Sequence, residues 1–244
     1  PFRHRIVVIG SSITHGTSAS RPGMAYAARL GRTLGFGFIN LGASGQCKLD
    51  TFFARIAAET RADAFLFDTF SNPSAQQIDE RLKRLVRRIR ESHPQTPLIF
   101  FQTEVRESGN FDLKKRAFED AKREAARKGM EKILETDKNI WFINPGMELG
   151  DDHEATVDGV HPTDLGFERM LKKVQPQIIR ILQKHGIKTL YLDEKLDIKL
   201  LKENEYSEKT GFIGGCISRI KNKIIVFGDL DKIDFQNKIR SFIH

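Results

Sequence analysis

The sequence has few cysteines and no long apolar run. Its 244 residues include only Cys47 and Cys216, which stand far apart and form no Cys-x-x-Cys pair. A disulfide framework and a metal–thiolate site are therefore not expected. No stretch reaches the roughly 18 apolar residues of a membrane-spanning helix. A signal-peptide pattern is also missing, but the chain opens at Pro1 rather than at methionine. An upstream leader could therefore have been removed, and the location, cytoplasmic or exported, stays open.

A nucleic-acid-reading module is missing as well, although the chain is basic. It carries 40 Lys and Arg against 32 Asp and Glu, for a net charge of +8. Much of this charge falls in residues 81–90, where four apolar side chains recur at helical spacing and leave the arginines on the other face. Without base-stacking aromatics, that pattern is typical of a solvated helix surface. We expect no nucleic acid as a partner, and the sequence predicts no oligomeric state.

Short apolar runs alternate with longer amphipathic segments through the first 186 residues. Runs rich in β-branched or aromatic residues predict five strands, at residues 5–9, 36–41, 64–70, 98–103 and 140–143. The remaining segments predict five helices, at about 24–34, 49–59, 75–92, 111–135 and 164–184, with Ser74 and Thr163 as N-caps and Gly186 as a stop. This alternation predicts a doubly wound three-layer α/β/α sandwich with a mainly parallel five-stranded sheet.

Polar segments follow four of the predicted strands at the points where the strands end. They are Ser12 after the first strand, residues 40–45 at the second, 71–73 at the third and 158–161 after the fifth. Because the carboxyl ends of parallel strands meet at one edge of a sheet, we expect these segments to lie close together. Each also has an ordinary interpretation as a turn or a cap. That interpretation does not explain why all four fall on the same edge.

The spacing of Asp158 and His161 suits a catalytic triad. With two residues between them, both side chains can lie on one loop, where the carboxylate holds one imidazole nitrogen while the other nitrogen faces a serine hydroxyl. Ser12 supplies that hydroxyl if it lies next to His161 at the edge of the sheet. The sequence thus predicts a serine hydrolase, a chemistry that requires no cofactor. Glu104 and Arg106 are expected to line or rim the pocket, with an exposed ion pair as the alternative.

Other kinds of site fit the sequence less well. Residues 10–16 are one residue too long for a phosphate loop and lack its lysine. The nucleophile elbow Gly-x-Ser-x-Gly is absent, because Thr14 stands where its second glycine belongs. Residues 151–154 with Asp158 and His161 suggest metal ligands, but they lack the His-x-x-x-His spacing of a helical zinc site. We therefore expect no metal.

The ordered combination of these segments resembles the SGNH hydrolases, the GDSL-like esterases and lipases. Residues 10–14 (Gly-Ser-Ser-Ile-Thr) are similar to the first motif of that family. Residues 40–45 (Asn-Leu-Gly-Ala-Ser-Gly) are similar to the second motif, and 158–162 (Asp-Gly-Val-His-Pro) to the last. The resemblance covers about residues 5–185. Each motif is short, but their order along the chain makes the combination specific.

The resemblance also implies roles for single residues. It assigns the nucleophile to Ser12, the other triad positions to Asp158 and His161, and the oxyanion hole to the Ser12 N–H, Gly45 and Asn72. The sequence departs from the family pattern at two places. Ser11 stands where many members have aspartate, and residues 69–73 read Thr-Phe-Ser-Asn-Pro where Gly-x-Asn-Asp is usual.

The residues and the resemblance together predict an esterase or deacylase that hydrolyses small acyl esters. Residues 18–24 are similar to the stretch that follows the nucleophile in one bacterial subgroup, which implies acyl groups on carbohydrates as a substrate class. The alternative is a catalytically inactive scaffold of the same fold that binds a glycan or a protein. A nucleotide-binding doubly wound domain is a more distant third hypothesis.

The composition changes after Gly186, where lysine replaces arginine as the main basic residue and isoleucine becomes frequent. We predict a hydrolase domain at residues 1–186 and a small α+β segment of unknown role at 187–244. Periodicity within that segment predicts a hairpin and a helix, at 214–220 with 223–227 and at 235–243. Three interpretations of this segment remain open: it packs on the hydrolase, it belongs to an incomplete second domain, or it is a fusion remnant.

Overall fold

The computed structural model describes residues 4–144, 146 and 149–187, together with the backbone of three strands at 197–200, 216–220 and 223–227. The chain divides into two compact units, Pro1–Thr189 and Leu190–His244. All the motifs named above lie in the first unit. The hydrolase domain at 1–186 and the separate role of the following segment stay predictions.

The first unit is built on a five-stranded sheet in which every pairing is parallel. Its spatial order is β2-β1-β3-β4-β5. From β1 the chain moves outward to β2 and then returns to the other side of β1 for β3, so the carboxyl end of β1 lies at the topological switch point. The strands are β1 (Arg5–Gly10), β2 (Gly37–Gly42), β3 (Ala64–Asp68), β4 (Leu98–Phe101) and β5 (Ile140–Ile143).

Helices cover both faces of this sheet and make the three layers. Alternate residues of β1 show why, because Ile6 and Val8 pack in one core cluster and Val7 and Ile9 in the other. Helices α2 and α6 cover the first face, and α3, α4 and α5 cover the second. The helices are α1 (Ser12–His15), α2 (Tyr26–Leu34), α3 (Thr51–Glu59), α4 (Ala75–Ser92), α5 (Leu113–Thr136) and α6 (Asp164–Lys184), with 3₁₀ turns at Pro22–Met24 and Glu107–Asn110. The predicted doubly wound sandwich is confirmed.

The predicted boundaries are most accurate at the two helices for which the sequence predicted an N-cap. Ser74 accepts a hydrogen bond from the Gln77 N–H at the start of α4, and Thr163 accepts one from the Gly166 N–H at the start of α6. Two strand ends were predicted too late, since β3 ends at Asp68 rather than 70 and β4 at Phe101 rather than 103. The residues beyond these ends leave the sheet but stay buried, although only Phe70 of the four is apolar.

The second unit contains a three-stranded sheet within the part of the chain that the structure describes. Strands β7 (Cys216–Ile220) and β8 (Lys223–Phe227) pair antiparallel, which confirms the predicted hairpin. Strand β6 (Asp197–Leu200), which the sequence analysis missed, pairs parallel to β8. The helix predicted at 235–243 lies outside the described residues. None of the described helices is both long and apolar enough to span a membrane.

Candidate active site

Ser12 is the first residue of α1, just after strand β1. The Ser11 hydroxyl caps this short helix by accepting a hydrogen bond from the Ile13 N–H at 3.2 Å. Gly10 is required at the junction because a Cβ there would lie 2.0 Å from the Thr14 Oγ1 and 2.6 Å from the Asp68 carbonyl oxygen. The Ser12 side chain is thus held on a tight strand-to-helix turn, where it is buried apart from a small opening of 6% of its surface.

The structure brings Ser12, His161 and Asp158 together in one hydrogen-bonded series. Ser12 Oγ lies 2.9 Å from His161 Nε2, and His161 Nδ1 lies 2.7 Å from Asp158 Oδ2. With its proton on Nδ1, the imidazole donates to the carboxylate and accepts from the serine hydroxyl. The other carboxylate oxygen of Asp158 accepts hydrogen bonds from the backbone N–H groups of Val160 and His161, at 3.0 and 2.8 Å. These contacts fix both the carboxylate and the ring.

The environment of Asp158 favours its charged form. Partial burial acts to raise the pKa of this carboxyl, but hydrogen bonds from the backbone and ring of His161 and from the Val160 N–H outweigh it. The net effect is a pKa below the usual value for aspartate. Asp158 is therefore ionised at neutral pH and can hold an imidazolium at its side.

His161 and Asp158 belong to residues 155–163, which we call the histidine loop. Its two ends are joined by backbone hydrogen bonds from Val157 to His161 and from Thr163 to Ala155. Gly159 has a φ of +77°, and a Cβ there would lie 2.7 Å from the backbone nitrogen of Ser108. That nitrogen donates to the Gly159 carbonyl. The loop therefore rests against the 3₁₀ turn that follows β4, and only glycine fits at the contact.

The same turn holds the histidine loop through side chains. Glu107 accepts a hydrogen bond from the Thr156 hydroxyl at 2.8 Å and contacts His153 Nδ1 at 3.0 Å. Asp152 pairs with Arg169 of α6. Of the residues 151–154 that suggested metal ligands, His153 thus contacts Glu107 and Asp152 pairs with Arg169. Among the described residues, no group of three or more His, Cys, Asp or Glu side chains is arranged to hold a metal ion.

The two remaining oxyanion-hole candidates follow the strands on either side of β1. Gly45 lies after β2 with a φ of +69°, exposed and with no atom within 4 Å of a Cβ built on it. Asn72 lies after β3 in residues 69–73, which we call the asparagine segment. Its Oδ1 is buried without a hydrogen-bond partner, and no described protein group bonds its Nδ2. Both residues therefore lie at the predicted sheet edge, and their catalytic roles stay predictions.

A buried carboxyl supports the turn that carries Ser12. The hydroxyls of Thr14 and Tyr26 both donate to Asp68 Oδ2, at 2.8 and 3.1 Å. Complete burial and the nearby charge of Glu104 raise the pKa of Asp68 to about 7, although the two hydroxyls oppose the shift. The sequence analysis did not single out Asp68 because it ends an apolar run. The feature that could have indicated its role is a single carboxyl at the end of an otherwise apolar strand.

The sequence analysis gave two possibilities for Glu104 and Arg106, and the structure rejects the exposed ion pair. Glu104 is buried, and Arg106 is mostly buried between the end of β4 and helix α5. Lys122 of α5, which the sequence analysis missed, is fully buried beside them. Its position was the available signal, since Lys122 falls on the same helical face as the buried residues Ala125, Ala126, Met130 and Ile133.

A separate groove of about 700 Å³ lies between α3 and α4. Its floor contains Leu49, Ala54 and Leu85, and arginines of α4 line its sides. Ser12, Asp158 and His161 do not line it. The basic face of α4 predicted from residues 81–90 is confirmed by this arrangement, with its apolar residues buried.

Two family models match the chain. The model of the GDSL-like lipase/acylhydrolase family matches residues 3–180. The model of a family of unknown function (DUF6873) matches residues 174–244. Among curated proteins, none matches the chain.

Several solved structures have a similar fold, and the chain spans about half the length of the first two. A GDSL-like lipase from Bacteroides ovatus is 49% identical with a TM-score of 0.72, and the match covers 75% of this chain and 55% of that one. A salicylyl acyltransferase from a tetracycline biosynthetic pathway is 21% identical with a TM-score of 0.60, over 75% and 55% of the two chains. A family two carbohydrate esterase from Clostridium thermocellum, in complex with cellohexaose, is 15% identical with a TM-score of 0.57, over 77% and 66%. Since the first family model covers most of the chain, the chain belongs to the GDSL-like lipase/acylhydrolase family.

Proposed function

We propose that the chain is a serine esterase that hydrolyses small acyl esters through Ser12, His161 and Asp158. The observation that carries the proposal is the hydrogen-bonded series from Ser12 Oγ through the His161 ring to Asp158, with distances of 2.9 and 2.7 Å. The three residues come from opposite ends of the first unit, so a local turn motif does not account for their meeting. A nucleophile, a base and an orienting carboxylate in this order are the parts that acyl transfer needs.

In the first half of the reaction, Ser12 Oγ attacks the carbonyl carbon of the ester while its proton passes to His161 Nε2. The electron pair of the carbonyl bond moves to the oxygen. When the tetrahedral intermediate collapses, the bond to the leaving oxygen breaks and His161 gives that oxygen the proton. The products are an alcohol and an acyl group on Ser12.

In the second half, water takes the place of the alcohol. His161 Nε2 accepts a proton from the water as the water oxygen attacks the acyl carbon. When this second tetrahedral intermediate collapses, the bond from the acyl carbon to Ser12 Oγ breaks, His161 returns the proton to Ser12 Oγ, and the carboxylic acid leaves. The ionised Asp158 stabilises the imidazolium in both halves and keeps the Nδ1 proton directed away from the serine. The Ser12 and Gly45 backbone N–H groups and the Asn72 amide are the proposed donors to the negatively charged oxygen.

For the substrate we propose esters of carbohydrates. The similarity of residues 18–24 to a bacterial subgroup supports this class, and a carbohydrate esterase shares the fold. The Ser20 N–H and hydroxyl both donate to Asp164 at the start of α6, at 2.9 and 2.5 Å. This contact ties the stretch after the nucleophile to the helix that follows the histidine loop, so the two together can form one wall of a binding cleft.

The test is the turnover of 4-nitrophenyl acetate and of an acetylated oligosaccharide by two serine variants. Ser12→Ala removes the nucleophile and should lower kcat by at least about 10⁴-fold, with little change in melting temperature. Ser11→Ala is the matched control, because it removes a neighbouring buried hydroxyl that only caps α1. It should cost about 1 kcal/mol of stability and leave most of the turnover. Wild-type turnover by Ser12→Ala would reject the mechanism, and an inert wild-type chain would favour the inactive binding scaffold.

A further inference from the structure

Four charged side chains form a buried group between the end of β4 and helix α5. They are Glu104, Arg106, Glu119 and Lys122, and we call them the buried ion cluster. Arg106 Nη1 lies 3.0 Å from Glu119 Oε1, and Lys122 Nζ contacts the other oxygen of that carboxylate. Arg106 Nε lies 3.6 Å from Glu104 Oε1, so these two attract as charges without a hydrogen bond. The cluster is therefore a connected network rather than a set of surface pairs.

Both cations of the cluster also donate to one residue of the asparagine segment. Arg106 Nη2 donates to the Ser71 carbonyl at 2.9 Å and to the Ser71 hydroxyl at 2.6 Å. Lys122 Nζ donates to the same carbonyl at 3.0 Å. That carbonyl thus accepts two charge-assisted hydrogen bonds, which are stronger and more directional than neutral ones.

These hydrogen bonds to Ser71 also affect Asn72, through the backbone. The Ser71 carbonyl and the Asn72 N–H belong to one planar peptide group. Fixing the carbonyl therefore fixes the orientation of the peptide plane that leads into Asn72. On its other side, Pro73 restricts the backbone of Asn72 to extended conformations. The asparagine side chain makes no hydrogen bond of its own with described groups, and its Oδ1 is buried. The backbone therefore sets where this side chain begins and which rotamers it can adopt, and the cluster and the proline hold that backbone from both sides.

Stability alone is a poor explanation of the cluster. Burial lowers the pKa of Lys122, the positive charge of Arg106 lowers it further, and Glu119 opposes the shift. Desolvation of this kind can exceed the attraction that a buried pair regains. The Phe118 ring, with its centroid 5.4 Å from Lys122 Nζ, offsets part of that cost. What the cluster supplies beyond stability is a fixed geometry at Ser71.

We infer that Arg106 and Lys122 are positioning residues that hold the Ser71 carbonyl and thereby direct the Asn72 amide toward the oxyanion of the reaction. The inference rests on the proposed function, since it needs an oxyanion for Asn72 to meet. The asparagine segment departs from the usual Gly-x-Asn-Asp pattern, and the inference makes it dependent on Lys122 of α5, which lies 51 residues after Ser71.

A double-mutant cycle between Lys122→Met and Asn72→Ala tests the inference. Methionine keeps the length of the side chain and leaves Glu119 paired with Arg106. We expect Lys122→Met to lower kcat about 10- to 100-fold with little change in KM, somewhat less than loss of the asparagine itself. In the Asn72→Ala background the same change should lower kcat no further than about 2-fold, because the residue through which it acts is gone.

Arg123→Met is the matched control. Arg123 lies on the same helix and donates to the Thr103 carbonyl beside the end of β4, but it does not contact Ser71. It should lower the melting temperature and leave kcat within about 3-fold of the wild type, since its effect is on packing. A conservative Lys122→Arg variant, which restores a donor to Ser71, should recover part of the lost kcat.

Several results would overturn the inference while the Ser12 mechanism stands. These are an equal loss of kcat from Lys122→Met in both backgrounds, a loss of melting temperature alone, or a near-normal kcat for Asn72→Ala. If Lys122→Met does not fold, the same cycle with Arg106→Lys decides, because that variant keeps the charge and loses the forked contact to Ser71. A wild-type chain that neither turns over ester nor reacts with a fluorophosphonate would reject both the proposed function and this inference.

Discussion

The histidine loop and the asparagine segment lie at the same edge of the sheet but are held by different means. Most of the hydrogen bonds that hold the histidine loop are internal, such as those from Val160 and His161 to Asp158. The turn after β4 adds two contacts from outside the loop. The asparagine segment is held by Arg106 and Lys122, which lie 35 and 51 residues from Ser71. The first geometry follows from a short run of sequence. The second exists only after α5 has packed on the sheet.

The largest expected effect concerns the histidine loop. Asp158→Asn should lower kcat by about 10⁴-fold, because an amide in place of the carboxylate favours the wrong imidazole tautomer and does not stabilise the imidazolium. The measurement is kcat and KM for a small activated ester. Asp152→Asn is the control, since Asp152 pairs with Arg169 on the neighbouring exposed stretch. Similar activity of the two variants would remove Asp158 from the mechanism.

A smaller effect is expected in the asparagine segment. Asn72→Ala should lower kcat by roughly 10²- to 10³-fold and change KM little, because the amide acts on charge that develops in the transition state. Asn110→Ala, at an exposed asparagine that bonds only Arg116, serves as the control. If Asn72 merely stabilises the turn before Pro73, the melting temperature falls instead and kcat of the folded enzyme stays near normal.

The contact between the histidine loop and the turn after β4 can be tested by stability. Gly159→Ala places a Cβ 2.7 Å from the Ser108 nitrogen at a φ of +77°. Gly186→Ala has a similar φ of +70° but open space around it. Both variants bear the backbone cost of about 1–2 kcal/mol, and only Gly159→Ala must also displace Ser108. We expect it to lose more melting temperature and some kcat, and equal losses would show that the contact adds nothing.

The smallest effect is a pH dependence of stability at Asp68, below both segments. Because folding raises the pKa of this carboxyl to about 7, the folded state holds the proton more tightly than the unfolded state, whose pKa is about 4. The free energy of unfolding therefore falls, through this group, as the pH rises from about 4 to about 7. Asp68→Asn should remove this slope, so the melting temperature of the variant should rise relative to that of the wild type between pH 4 and 8. A constant difference between the two proteins across this range would contradict the assignment.

Features with a local cause could be predicted from the sequence. The alternation of apolar runs and amphipathic segments predicted the five strands and the layers. Caps at Ser74 and Thr163 fixed the starts of α4 and α6. The two-residue spacing of Asp158 and His161 predicted their hydrogen bond, because both side chains start from one tight loop.

Features that depend on distant packing could not be predicted in the same way. A lysine is expected to be exposed unless its sequence context says otherwise. For Lys122, only its place on the apolar face of α5 indicates that it is buried. The contact of Arg106 with Ser71 needs the relative placement of β3, β4 and α5, which no short pattern contains. The same holds for Asp68, whose hydroxyl partners come from two different helices.

The most direct test of the central claim is covalent labelling of the wild-type chain with a fluorophosphonate, followed by peptide mapping. A serine activated by His161 attacks the phosphorus and keeps the probe, whereas an ordinary hydroxyl does not react. We predict one label per chain, on Ser12, and its loss in both Ser12→Ala and His161→Ala. Ser11→Ala should still be labelled. No labelling of the folded wild type, or a label on any other serine, would contradict the proposed esterase.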